Sequence, residues 1–291
     1  MNAILFPGQG SQKVGMGREI CERFPIGNSI FERANAVLGT DLRELCFDGP
    51  DEILKNTLHA QPALLTVGFI HFEAAKANGL EMGMTAGHSL GEYTALVAAG
   101  ALGFEDALSL VQKRAELMSN APHGAMAALI GLADEKLDEV LTAANETGVC
   151  VAANFNSPGQ IVVSGEIAAV EAAMAAAKAA GAKLVIKLPV SGAFHSPLLA
   201  DAGARMAELI DAAPFIDAQI PVYQNTTAKP ATHAAELRAA LRPQMTSAVN
   251  WTQTIQNMIG DGATKFIELG PGNVLTGLVK RIDKSVELEN F

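Results

Sequence analysis

The chain is short of the residues that mark several protein classes. Of its 291 residues only three are cysteine, and Cys21, Cys46 and Cys150 stand far apart. An odd, scattered set excludes a disulfide framework and suits reduced thiols in the cytoplasm. None of them stands at metal-ligand spacing with the six histidines, so no metal site is expected. Hydrophobic residues make up 49% of the chain, yet no unbroken apolar run is long enough to cross a bilayer. Met1-Asn2-Ala3-Ile4-Leu5-Phe6 lacks the basic segment and small-residue cleavage site of a signal peptide, and reads as a first buried strand. Basic residues are scarce as well. Against 31 Asp and Glu there are 21 Lys and Arg, and the net charge of −10 excludes a broad nucleic-acid surface. Lys280, Arg281 and Lys284 form a local basic cluster, either a contact for an acidic partner or a solvated helix face.

What is present is more telling. Gly87-His88-Ser89-Leu90-Gly91 fits the Gly-x-Ser-x-Gly nucleophile elbow, with Met84–Ala86 able to end a strand and Glu92–Ala99 having the composition of a helix. A strand, sharp turn and helix in that order set a serine hydroxyl at an exposed corner beside helix-terminal N–H groups. A side chain at either flanking glycine would crowd that corner.

The length allows one large domain with a smaller one inserted. Ala3–Phe6 reads as a strand, Pro7–Gly17 as a Gly-rich loop, and helices run to about Gly79. Gly103–Met118 reads as a helix. From Gly124 to Pro189 the pattern changes: strand Met126–Leu132, helix Glu135–Asn145 capped by Asp134, and strands Val149–Phe155 and Ile161–Ser164 around the turn Asn156-Ser157-Pro158-Gly159. Helix Ile167–Ala180, with Ala172–Ala180 as filler, and strand Lys183–Leu188 complete it. This β-α-β-β-α-β order is that of a ferredoxin-like module. The expected organisation is a small domain over 124–189 between 1–123 and 190–291, which form a large α/β domain. In the last part Ser191–His195 reads as a loop, Leu198–Ala212, Leu237–Leu241, Trp251–Met258 and Val274–Arg281 as helices, and Ile220–Tyr223 and Lys265–Leu269 as strands.

An elbow serine needs a base, for which histidine is the usual choice. His88 is expected to pack or hydrogen-bond beneath the elbow. His195, in a loop just after the small domain, is the leading base, with His59, His71, His123 and His233 as rivals. The acid of a triad is missing from the expected interval: Asp106, Asp134 and Asp138 read as helix starts or helix surface. A neutral acceptor is therefore expected to orient the histidine, and a carbonyl oxygen can fix its tautomer. On the Gly103–Met118 helix, positions 107, 111, 114 and 118 share one face, three of them apolar and the fourth Arg114. A guanidinium on that face either makes a structural ion pair, snorkels to the surface, or takes a carboxylate in its planar fork. Phe6–Gln12 could lend backbone N–H groups to an oxyanion, with Leu90 N–H as a second donor. It lacks the ending of a phosphate loop and the spacing of a dinucleotide fingerprint.

Taken together, Phe6–Gln12, Gly87–Glu92, Gln112–Met118, Asn154–Gln160, Gly192–Ser196 and Glu268–Gly272 resemble the malonyl-CoA:acyl-carrier-protein transacylases and related polyketide synthase acyltransferases over nearly the whole chain. The resemblance implies an α/β-hydrolase-like large domain with a ferredoxin-like insert. It implies Ser89 as nucleophile, His195 as base, Gln244 as the residue whose carbonyl holds the histidine, Gln9 and Leu90 N–H groups as oxyanion hole, and Arg114 as clamp on the malonate carboxylate. The Gly192-Ala193-Phe194-His195 form is similar to malonyl-selective members, with Phe194 disfavouring an α-methyl group. Ala115 departs from the glycine that often follows the arginine, and costs nothing in a helix. The implied partners are malonyl-CoA as substrate and an acyl carrier protein, with no metal or redox cofactor and a cytoplasmic monomer as the expected form. The alternatives are an acyl hydrolase or thioesterase on the same scaffold, or an idle docking subunit of a synthase.

Overall fold

The computed structural model describes residues 1–190 and 192–291. In chain order the elements are β1 (Asn2–Phe6), α1 (Arg18–Arg23), α2 (Ile26–Leu38), α3 (Leu42–Asp48), α4 (Asp51–Lys55), α5 (Thr57–Ala77), β2 (Met84–Gly87), α6 (Gly91–Ala98) and α7 (Phe104–Ser119). Then come β3 (Ala125–Ile130), α8 (Leu137–Asn145), β4 (Cys150–Ser157), β5 (Gln160–Gly165), α9 (Ile167–Ala179) and β6 (Leu184–Lys187). The chain closes with α10 (Ala200–Ala212), β7 (Val222–Tyr223), β8 (Pro230–Ala231), α11 (Ala234–Leu241), α12 (Trp251–Gly260), β9 (Lys265–Glu268), α13 (Val274–Ile282) and β10 (Glu287–Asn290). The result is a mixed α/β protein with two sheets.

The larger sheet runs β10-β9-β1-β2-β7-β8, parallel except for the β7–β8 pair. Its central strand is apolar at every position from Ala3 to Phe6 because both faces are covered. Alternation splits the strand: Ile4 and Phe6 pack with α2, α5, α6 and α7, while Ala3 and Leu5 pack with Trp251, Ile255 and Leu275 of α12 and α13. Ile4, Leu5 and Phe6 each contribute about 1.5–3 kcal/mol by leaving water. The long helix α5 is buried through most of its length, yet no helix among the described residues is long and apolar enough to cross a membrane.

The smaller sheet is antiparallel throughout, in the order β4-β5-β3-β6. One face carries α8 and α9. Ala169, Ala173 and Ala177 form a fully buried stripe against it, so the alanine tract packs closely rather than filling space. The other face turns Met126, Ala128 and Val162 toward the core that Ile4 and Phe6 of the larger sheet also enter. Backbone bonds Phe155 N–Val249 O and Val249 N–Ala153 O, both 2.9 Å, tie β4 to the segment just before α12.

Several boundaries differ from the sequence reading. Asp134 does not cap the following helix. It opens a short 3-10 turn, and its carboxylate accepts from Gly159 N at 3.4 Å. The strand β4 extends through Asn156 and Ser157, so Pro158-Gly159 alone makes the turn. Ser191, first residue of the expected loop, lies outside the described residues. The short β8 and polar edge strand β10 were not anticipated.

Candidate active site

The carboxyl ends of β1 and β2, neighbours in the large sheet, bring the Pro7–Gln12 loop and Ser89 together. Open parallel sheets bind ligands at this end. Ser89 sits at φ 50°, a left-handed conformation that costs a side-chain-bearing residue energy and is held by its surroundings. A β-carbon on Gly87 would collide with the backbone of Gly91, and one on Gly91 with the Phe6 carbonyl. The turn is braced by His88 N donating to Phe6 O at 3.0 Å and Gly91 N to His88 O at 2.9 Å.

Ser89 Oγ lies 2.7 Å from His195 Nε2. His195 Nδ1 lies 2.9 Å from the carbonyl oxygen of Gln244 and 3.1 Å from that of Ser247. Two carbonyls at Nδ1 require the proton there, which leaves Nε2 to accept from the serine. Carbonyls thus stand where a triad would have its acid. Burial first, then the charge of Arg114, pushes the His195 pKa down to about 3, so the ring is neutral and ready as a base.

Arg114 is buried, 1% exposed, on the inward face of α7 with Ala107, Val111 and Met118. No carboxylate of the described residues touches it. Nη1 donates to Gln61 Oε1, and Nη2 donates to Ser89 Oγ at 3.0 Å and Gln244 Oε1 at 3.1 Å. Its Nε has no partner among the described residues. A buried cation ordinarily requires a countercharge, and this one keeps spare donor capacity beside the serine. The nearest acid stands one amide away. Gln244 Nε2 donates to Glu92 Oε2 at 2.6 Å and to Ser89 O at 2.9 Å, which turns Gln244 Oε1 toward Arg114. Burial pushes the fully buried Glu92 up to about 7, against the pull of Gln244, Asn225 and Arg114.

A cavity of about 120 Å³ joins these groups, bordered by Gln9, Leu90, Met118, Met126 and Phe194 as well as Ser89, Arg114 and His195. The N–H groups of Gln9 and Leu90 donate to no acceptor among the described residues. The Gln9 side chain accepts from Thr57 Oγ1 at 2.7 Å, which anchors the loop to α5. Such free N–H pairs suit a developing oxyanion.

Of the other histidines, only His88 borders the cavity. His88 Nε2 bonds Asn156 Oδ1 at 2.8 Å and its ring packs against Trp251, the supporting role expected. His71 meets Phe291 O, His233 pairs with Asp217, and His59 and His123 do not border the cavity. Asp106, Asp134 and Asp138 are exposed. The basic cluster lies on the exposed end of α13 and just beyond it, with Arg281 bonded to Gln160. Sequence reasoning missed Gln61, Glu92 and Asn225. Glu92 alone carried a signal, as a charge directly after the elbow.

A strained serine bonded to a neutral, buried imidazole, with a guanidinium alongside that has no carboxylate partner among the described residues, is an arrangement able to carry acyl transfer. Comparison with known proteins agrees. Residues 4–289 match the acyl transferase domain family. A malonyl CoA-acyl carrier protein transacylase of Bacillus subtilis is 46% identical over 98% of this chain and 91% of its own length. An acyl carrier protein S-malonyltransferase structure from Vibrio cholerae superposes with a TM-score of 0.96 at 42% identity, covering 100% of this chain and 96% of that one. A malonyl-transacylase solved in complex with a type II PKS acyl-carrier protein gives 0.97 at 39% identity, covering 100% and 95%. The chain belongs to the acyl transferase family and, within it, to the malonyl CoA-acyl carrier protein transacylases; it is an acyltransferase.

Proposed function

We propose that this chain moves a malonyl group from malonyl-CoA to the phosphopantetheine thiol of an acyl carrier protein, for fatty-acid or polyketide synthesis, through a malonyl ester on Ser89. The observation that carries this reading is Arg114, a buried cation with no carboxylate partner among the described residues, 3.0 Å from the serine hydroxyl. The free carboxylate of a malonyl group supplies the missing charge.

In the first half-reaction His195 Nε2 takes the Ser89 proton as Oγ attacks the thioester carbonyl. The tetrahedral oxyanion is met by Gln9 and Leu90 N–H. The carbon–sulfur bond then breaks, and the imidazolium returns its proton to the departing thiolate of coenzyme A. In the second half the carrier thiol gives its proton to His195 and attacks the ester, and Ser89 leaves with that proton. The order is ping-pong. The Gln244 carbonyl steadies the imidazolium, and Phe194, bordering the cavity, disfavours an α-methyl group by about 1–3 kcal/mol.

We further read the fold as an α/β-hydrolase-like domain, over 1–123 and 190–291, with a ferredoxin-like insert over 124–189. Alternating helices and antiparallel strands in the order β4-β5-β3-β6 support the insert, and the strand-elbow-helix at Ser89 supports the large domain. Neither half-reaction calls for a metal or redox cofactor. One chain supplies every group named, and its three buried free thiols suit the cytoplasm, where we place it as a monomer.

Intact-mass measurement after brief exposure to malonyl-CoA tests the site. One malonyl adduct, mapped to Ser89 and lost in Ser89→Ala, is the expected result. An adduct on another residue, or none, refutes it.

A further inference from the structure

Asn225 lies two residues beyond the short strand β7, fully buried and 136 residues from Ser89 in sequence. Its side chain spans the elbow. Oδ1 accepts from Ser89 N at 2.7 Å, and Nδ2 donates to Gly87 O at 2.7 Å. The amide orientation follows from chemistry, since the reverse would set donor against donor and acceptor against acceptor. Its own backbone is fixed on both sides: N donates to Glu92 Oε1 at 3.4 Å, and O accepts from Asn250 N at 2.9 Å. One amide therefore closes a bracket over the residues on either side of His88, where the serine holds φ 50°.

We propose that Asn225 is the positioning residue for the nucleophile, its two-point bracket holding Ser89 in the left-handed conformation that aims Oγ at His195. The inference rests on Ser89 being the nucleophile. By engaging Ser89 N–H, the bracket also withdraws that donor from the reaction and leaves Leu90 N–H as the elbow's contribution to the oxyanion. Without the bracket, the serine relaxes toward ordinary backbone and its hydroxyl leaves the imidazole, while Arg114 and the rest of the cavity stay in place.

The test compares wild type, Asn225→Ala and Asn225→Asp in single-turnover acylation by malonyl-CoA, with malonyl-CoA affinity measured in a Ser89→Ala background. Asn225→Ala removes both contacts, and acylation should slow by about 100-fold, the scale of a misplacement near 1 Å, with affinity changed less than about twofold. Asn225→Asp keeps the acceptor for Ser89 N but sets a carboxylate against Gly87 O. Glu92, Arg114, His195 and His88, which lies between the two bracketed residues, are the charged or titratable groups around it among the described residues. Protonation restores the donor, so the activity ratio of Asn225→Asp to wild type should rise about tenfold from about pH 8 to about pH 5. His195 remains a base across that range. A purely structural contact would lower the unfolding temperature without this acid rescue. Loading of Asn225→Ala at the wild-type rate, or a ratio independent of pH, overturns the inference alone. A wild-type enzyme that takes no acyl group on Ser89 overturns the site reading and the inference together.

Discussion

Replacing Arg114 with alanine removes the buried cation that faces the serine, and its effect should depend on what the acyl group carries. A carboxylate about 4 Å from a guanidinium is attracted by about 4 kcal/mol at an effective dielectric constant near 20. Truncating one partner of a buried charge pair costs about 2–5 kcal/mol. Taking about 3 kcal/mol, kcat/KM for malonyl-CoA should fall roughly 100-fold, at about 1.36 kcal/mol per decade. Acetyl-CoA has no carboxylate to lose. For it the substitution removes a charge that depresses His195, and a hydrogen bond from Nη2 that occupies a lone pair of Ser89 Oγ. Acetyl loading should therefore hold or rise, and the malonyl-to-acetyl preference should collapse by at least the malonyl loss. Arg114→Lys keeps the charge but not the fork, and should fall between, about tenfold down. The assay is initial-rate transfer from each thioester at matched concentrations. Equal losses for malonyl and acetyl would refute the clamp and point to a structural arginine.

If His195 is the base, burial and the Arg114 charge, which push it down to about 3, should set the acid limb in kcat/KM well below the ordinary histidine value of about 6.5. The base works deprotonated, so activity is lost as pH falls through the folded pKa, and a limb near 6.5 would contradict the burial reading. Gly91→Ala drives a β-carbon into the Phe6 carbonyl and should destabilise the protein by more than about 3 kcal/mol, read as unfolding in urea. An unchanged midpoint would show that the elbow can relax. Burial pushes the Cys21 and Cys150 thiols up to about 11, and Cys46 higher still. Iodoacetamide at neutral pH should leave all three unmodified in the folded protein and label them after denaturation.

The legible parts of this molecule were those in which one local pattern decides the outcome. The apolar run Ala3–Phe6 reads as a buried strand, and the single arginine on the apolar stripe of α7 stands out, although its sequence alone leaves open whether it turns inward or snorkels. The Gly-x-Ser-x-Gly turn fixes its own geometry through two glycines that no other residue can replace. What stayed hidden depends on distance. Asn225 stands 136 residues from Ser89 in a polar turn without periodicity, so nothing local marks its bracket. The partner of Gln61 is likewise 53 residues away on another helix. Glu287–Asn290 is a polar edge strand, paired on one side by β9, and its sequence resembles a solvated tail. One cap failed where two choices were close: Asp134 serves the neighbouring hairpin instead of the helix that follows it.

The most direct test of malonyl transfer is a chase. Enzyme loaded on Ser89 with malonyl-CoA, freed of excess thioester, is mixed with phosphopantetheinylated acyl carrier protein and both masses are followed in time. Transfer is expected to move the malonyl group onto the carrier far faster than the ester decays in buffer, with free malonate a minor product. Loss of the ester to water at the same rate with and without carrier would contradict malonyl transfer and make the chain a hydrolase.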